Sequence, residues 1–116
     1  FIWLKARDQG YPAQIIDTVR GTEQIIDSSA SGPVSEGAET ALAEISDGGF
    51  EVGGQGYFNR EGTDYVAWCW KAGNGTVVDG SGDLPATRST NVDAGFSIIM
   101  TEGTNANNGS VKPLTS

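Results

Sequence analysis

The sequence predicts an all-β domain, an antiparallel β-sandwich of the jelly-roll or concanavalin-like kind. Seventeen glycines in 116 residues, together with many Ser, Thr, Asn and Asp residues, are typical of short strands joined by frequent turns. Apolar residues alternate with period two in several short runs, which is the pattern of strands. Only residues 38–45 have a helical pattern, so we expect at most one short helical turn.

The most apolar run of the chain, residues 65–70, is the predicted centre of the domain. Because side chains of a strand alternate between faces, Val66, Trp68 and Trp70 share one face, and Tyr65, Ala67 and Cys69 share the other. Both faces are apolar, which favours a central strand covered on both sides. The predicted core combines this run with residues of two further strands: Tyr65, Val66, Trp68, Cys69, Trp70, Phe50, Phe96 and Ile98.

Further strands are predicted over residues 1–7, 14–20, 23–27, 50–52 and 96–101, and a long polar loop over residues 72–86. Residues 1–101 form the predicted β-sandwich domain. Residues 102–116 have the Asn-, Gly- and Ser-rich composition of a flexible tail or linker. The chain begins directly on an apolar strand, so we expect a fragment of a longer protein.

Charge and residue types narrow the function classes. A formal net charge of -8 repels phosphate backbones and anionic lipid, so we expect neither a nucleic-acid nor a membrane partner. The chain has no histidine and one cysteine, which removes the commonest base and the commonest metal ligands. We therefore expect a protein that is not an enzyme and needs no cofactor.

Two sets of residues with oxygen-bearing side chains can be interpreted either as functional sites or as ordinary solvated surface. Asp79, Ser81 and Asp83 place oxygen atoms at a spacing that can wrap Ca²⁺, but the bidentate Glu of a full calcium loop does not follow, and a solvated turn is the alternative. A glycosidase needs two carboxylates across a cleft, and the plain alternative is solvated surface charge. The candidate carboxylates are Asp17, Asp27, Glu44, Asp64 and Glu102.

The aromatic residues also have two interpretations. Trp3, Trp68, Trp70 and Tyr65 are candidates for a platform on which sugar rings stack, whereas alternating tryptophans in an apolar run are more often core. As core, Trp68→Ala would destabilise the domain by roughly 3–5 kcal/mol. Solvent exposure of the three tryptophans distinguishes the two interpretations.

Several motifs resemble, in the same order, an uncharacterised repeat module of tailed-phage virion proteins. The motifs are Trp3-Leu-Lys-Ala-Arg-Asp, Asp17-Thr-Val-Arg-Gly, Gly49-Phe-Glu-Val-Gly, Tyr65-Val-Ala-Trp-Cys-Trp-Lys-Ala-Gly and Asp93-Ala-Gly-Phe-Ser-Ile-Ile. The module is found in tail-fibre and other structural proteins of marine phages and cyanophages, often beside concanavalin-like or laminin-G-like domains. The resemblance implies a non-catalytic virion component, such as a tail fibre, capsid fibre or capsid decoration, that serves assembly or host attachment. The alternative is a carbohydrate-binding module that contacts host surface glycans.

The same resemblance implies a homo-oligomer or a contact with other virion proteins. Short strands leave sheet edges with unpaired backbone groups, which favour pairing with another chain. We therefore expect residues 1–7 or 96–101 to lie at such a contact.

Overall fold

The computed structural model describes residues 1–32, 41–54, 57–80 and 84–103. Every regular element in these ranges is a β-strand and every strand pairing is antiparallel, so the all-β class is confirmed. In the same ranges no helix is long and apolar enough to cross a membrane. The strands are β1 (Ile2–Ala6), β2 (Gln14–Asp17), β3 (Gly21–Asp27), β4 (Leu42–Ser46), β5 (Gly49–Val52), β6 (Tyr65–Cys69), β7 (Val77–Asp79), β8 (Ala86–Asn91) and β9 (Phe96–Thr101).

The chain divides into two compact units, Phe1–Trp70 and Lys71–Ser116. The first unit holds a four-stranded sheet in the order β3-β2-β1-β6 and a two-stranded sheet, β4-β5. The second unit holds a three-stranded sheet in the order β7-β8-β9. The sheets are small and, among the described strands, none closes into a barrel. Most of the predicted tail lies outside the described residues.

The core of the first unit lies on one face of the four-stranded sheet. Aliphatic residues that alternate along β1, β2 and β3 point inward, and the β4-β5 hairpin covers them with Ile45, Phe50 and Val52. Tyr65 and Ala67 of β6 pack against the same cluster. The buried apolar residues of this core are Ile2, Leu4, Ile16, Ile25, Ala41, Leu42 and Phe58.

Strand β6 does not occupy the central, doubly covered position that its sequence predicts. It lies at one end of the four-stranded sheet, as far as the described strands extend, and Trp68, Cys69 and Trp70 are exposed. The core assignment of these three residues is therefore wrong, and Val66 is only half-buried. For Trp68 and Trp70 the physical reason is that smaller aliphatic side chains already fill the inner face, on which the β4-β5 hairpin packs, so the two tryptophans lie on the outer face. Cys69 lies on the inner side, at the end of β6.

Strands β2 and β3 form a hairpin, and its turn at residues 18–20 lies earlier than the gap at residues 21–22 between the two predicted strands. Asp17 is buried and closes the turn, since its Oδ1 accepts hydrogen bonds from the backbone N–H groups of Val19 (3.0 Å) and Arg20 (2.9 Å). Its Oδ2 accepts a third from Arg20 Nε at 2.7 Å. Gly21 then begins β3 with φ of 101°, a conformation that favours glycine.

The segments predicted to hold the helical pattern and the polar loop both contain strands. Within the helical pattern of residues 38–45, Leu42 to Ile45 lie in β4 and Ala41 lies directly before it, which agrees with at most one short helical turn, and residues 38–40 lie outside the described residues. Strand β7 begins at Val77, inside the predicted polar loop, and pairs with β8.

Two residues of the predicted core, Phe96 and Ile98, lie in β9 and are half-buried. Polar side chains of β8 hold the segment before β7, because Ser89 Oγ donates to Gly73 O (3.3 Å) and Asn91 Nδ2 to Lys71 O (3.1 Å).

Candidate functional site

The outer face of the four-stranded sheet carries a cluster of aromatic rings. Trp3 of β1 lies directly opposite Trp68 of β6, with ring centroids 5.5 Å apart and 47° between the ring planes. Phe1 and Trp70 form a second pair with centroids 5.4 Å apart and an edge-to-face angle of 69°. Because residues i and i+2 share a face, the two pairs lie about 7 Å apart along the strands. We call these four residues the aromatic face.

The aromatic face is open to solvent. Trp3 is 38% exposed, Trp68 45% and Trp70 40%. A large side chain that is only partly covered keeps apolar surface available for a partner, and contiguous surface of this kind marks binding sites. The three tryptophans are also all the tryptophans of the chain.

Aliphatic residues continue the aromatic face across the sheet. Trp3 is paired with Ile15 of β2, and Ile15 with Ile26 of β3. A single row therefore runs Trp68, Trp3, Ile15, Ile26 across four strands, a span of about 14 Å at the usual strand spacing. Ile26 is exposed and Ile15 half-buried. The row is apolar from one edge of the sheet to the other.

Lys5 closes the aromatic face at the end of β1 away from Phe1. Its Nζ donates hydrogen bonds to the carbonyl oxygens of Ala6 (2.6 Å), Gln9 (3.3 Å) and Tyr11 (2.9 Å). An ammonium group has three donors, so these carbonyls occupy its full capacity. Lys5 therefore anchors the loop after β1 and does not offer its charge to a ligand.

Tyr65, the fourth predicted platform residue, lies on the opposite side of β6. Its ring packs against the core, and its hydroxyl oxygen accepts a hydrogen bond from the backbone N–H of Arg60 at 3.1 Å. The structure thus brings together Trp3, Trp68 and Trp70 but not Tyr65. Phe1 joins them although sequence reasoning passed over it, and its alternation with Trp3 was the available signal.

The chain that carries this surface matches the model of a protein family. The match, to a family described as Domain of unknown function (DUF7483), covers residues 1–114. The chain belongs to this family. No curated protein and no solved structure matches the chain.

The calcium prediction for this DUF7483 domain rests on three residues, of which the structure describes one. Asp79 forms an ion pair with Arg88, with Oδ2 and Nη2 2.9 Å apart, while Ser81 and Asp83 lie outside the described residues. No group of three or more His, Cys, Asp or Glu residues in the described ranges could hold a metal ion.

Two of the candidate carboxylates of the DUF7483 domain hold turns. Asp17 closes the β2-β3 turn with Arg20, as described above. The Ser29 hydroxyl (2.7 Å), followed by the Ser29 backbone N–H (2.8 Å), donates to Asp27 Oδ1 and holds the pKa of Asp27 below its ordinary value. Both side chains are thus used locally, in turns on either side of β3.

Proposed function

We propose that this domain is a non-catalytic recognition module of a phage virion protein and that it binds host surface glycans on its aromatic face. The observation that supports the proposal is the exposed Trp3–Trp68 pair, with ring centroids 5.5 Å apart. The face of an indole ring carries partial negative charge, and the C–H groups of a sugar ring are apolar with a slight positive charge. Sugar rings therefore stack on exposed indoles.

The angle between the two indole planes indicates what kind of glycan the aromatic face can bind. With 47° between their planes, Trp3 and Trp68 cannot both lie flat against one sugar ring. Successive units of an oligosaccharide can each meet one ring, and the Phe1–Trp70 pair extends the contact along the strands. The proposed ligand is therefore an oligosaccharide chain, held by several weak stacking contacts.

The likeness to tail-fibre and capsid-decoration modules supports a location on the virion. In this role the domain displays the aromatic face toward the host, and its net charge of -8 disfavours nucleic acid as a partner. Virion fibres and decorations are commonly symmetric assemblies, and several copies on one particle multiply weak glycan contacts.

A second candidate function is assembly through the same surface. Ile15 and Ile26 prolong the aromatic face with aliphatic side chains, which suit packing against another protein better than hydrogen-bonding sugars. Pairing through a sheet edge concerns β9 more than β1. Strand β1 is hydrogen-bonded on both sides, by β2 and β6, whereas β9 pairs with β8 alone among the described strands.

Tryptophan fluorescence tests the glycan proposal directly, because every tryptophan of the chain lies on the aromatic face. We expect oligosaccharides from host envelopes to shift and quench the emission in a saturable manner. Trp3→Ala and Trp68→Ala should each weaken binding at least tenfold, at about 1.4 kcal/mol per factor of ten. The matched control is Met100→Ala, which removes an apolar side chain of similar exposure (44%) from β9 of the second unit.

Two outcomes contradict the glycan proposal. One is an emission spectrum that no oligosaccharide changes. The other is a concentration-dependent dimer, measured by sedimentation, that Trp68→Ala and Ile26→Ala both dissociate. That second result favours the assembly function.

A further inference from the structure

The second unit contains a cleft that the glycan proposal does not use. It has a volume of about 430 Å³, which lies within the range of pockets that hold small ligands. Loop residues 73–76 form one wall, and Val77 and Val92 contribute apolar surface. Arg88 and Thr90 of β8 complete the lining. Since Arg88 and Thr90 are two apart on one strand, their side chains share a face.

The loop at this cleft is held close to β8. A Cβ atom on Gly73 would lie 2.5 Å from the Thr90 carbonyl oxygen, so only glycine lets the two backbones approach in this way. Ser89 and Asn91, on either side of Thr90, donate hydrogen bonds to the segment that contains Gly73. The cleft wall is therefore fixed to the sheet from which Arg88 and Thr90 project.

Thr90 carries an unused hydroxyl at the cleft. Its Oγ1 is buried and has no hydrogen-bond partner among the described residues, although Ser89 and Asn91 beside it are both bonded. A buried hydroxyl without a partner is costly, and such groups are uncommon in native proteins. Because Oγ1 is covered, a ligand in the cleft reaches it only after the Thr90 side chain rotates about χ1, and a hydrogen bond formed there would remove this cost.

The charge of the cleft favours a neutral ligand. Asp79 lies 2.9 Å from Arg88 and neutralises its guanidinium, and the pairing also fixes the direction of the remaining N–H donors. Asn74, Thr76 and Thr90 offer neutral groups that can both donate and accept hydrogen bonds. An anion would gain little from a guanidinium that is already paired.

We propose that this cleft binds a small neutral polyhydroxylated ligand, such as a single sugar unit, with Thr90 and Arg88 as hydrogen-bonding residues. Sugar hydroxyls match donors and acceptors in turn, and the exposed Val77 and Val92 cover the apolar side of a ring. The proposal is independent of the aromatic face, which belongs to the first unit.

The test is a titration of the ¹⁵N-labelled 116-residue chain, followed by NMR, with D-glucose, D-galactose, N-acetylglucosamine and, separately, sodium acetate. We expect at least one sugar to shift the amide signals of residues 73–77 and 88–92 with millimolar affinity, while the indole signals of the tryptophans stay in place. Thr90→Val should keep the fold, because it removes an unpaired hydroxyl, and should weaken binding roughly tenfold or more. Thr87→Val is the matched control, since Thr87 lies on the other face of β8.

Several results would overturn this proposal while leaving the glycan proposal untouched. They are the absence of shifts at the cleft with every sugar, shifts produced by acetate instead of sugars, and unchanged sugar affinity in a folded Thr90→Val variant. Conversely, cleft shifts without any change in tryptophan emission on oligosaccharide addition support the cleft and refute the aromatic face.

Discussion

A double-mutant cycle on Trp3 and Trp68 measures how much each ring, and the contact between the two rings, contributes to the free energy of unfolding. Trp68 is 45% exposed, so slightly more than half of its surface is covered. A buried tryptophan removes about 150–250 Å² from water, so the covered part is about 80–140 Å². At about 25 cal/mol per Å² this gives an upper value of about 2–3.5 kcal/mol, and we expect Trp68→Ala to cost about 1.5–2.5 kcal/mol. That is less than the 3–5 kcal/mol of a fully buried ring.

The cycle also isolates the contact between the two rings. With centroids 5.5 Å apart, Trp3 and Trp68 should couple by about 0.5–1.5 kcal/mol beyond their separate costs. Urea unfolding of the wild type, both single variants and the double variant gives the coupling, and Trp70 remains in all four as the fluorescent reporter. Ile16→Ala, at a fully buried site, is the reference for a true core residue and should cost about 2–5 kcal/mol.

Two results would refute this reasoning. A Trp68→Ala loss as large as that of Ile16→Ala would mean that the ring is core after all. A coupling energy below about 0.3 kcal/mol would mean that the two rings behave independently and form no common surface.

Two further changes test other parts of the molecule. Gly73→Ala should destabilise the second unit by about 1–3 kcal/mol, because its Cβ would meet the Thr90 carbonyl oxygen at 2.5 Å. The control Gly75→Ala has open space for its Cβ and should stay within about 1 kcal/mol of wild type. Equal urea midpoints for the two variants would contradict the close approach of Gly73 to Thr90. Ser29→Ala should raise the pKa of Asp27 toward its ordinary value in an NMR titration, because the side-chain hydrogen bond is lost, and an unchanged pKa would contradict that cause. Because folding lowers the pKa of Asp27, its carboxylate stabilises the fold at pH values above its ordinary pKa, and this contribution is lost as the pH falls through the lowered pKa. The contribution should be smaller in Ser29→Ala.

Sequence periodicity correctly predicted which side chains of β6 share a face, since Tyr65 and Ala67 pack against the core whereas Trp68 lies opposite Trp3 on the outer face. The same alternation holds along β1. Phe1, Trp3 and Lys5 do alternate with buried Ile2 and Leu4. Periodicity could not show which face would be covered, since both faces of β6 are apolar. That choice depends on the β4-β5 hairpin, which packs through contacts distant in sequence.

Strands β7 and β8 were missed for a different physical reason. The sequence of β8, Ala-Thr-Arg-Ser-Thr-Asn, has no apolar alternation, and β7 is three residues long amid glycines. Backbone pairing with β9 and the Arg88–Asp79 ion pair stabilise them, and neither leaves a periodic signal. The aromatic face could not be predicted from sequence periodicity either, because the strand register that places Trp3 opposite Trp68 joins residues 65 positions apart.

The position of Cys69 affects how any binding experiment on this domain should be run. It is the only cysteine of the chain and is exposed, and it alternates with Trp68 and Trp70, so it points to the opposite side of β6. Air oxidation can therefore join two chains by a disulfide between their Cys69 residues while both aromatic faces stay uncovered. Such a covalent pair binds a surface through two sites, and avidity gains of about 10²–10⁴ would pass for intrinsic affinity. A Cys69→Ser protein, or a reductant, restores the one-site measurement.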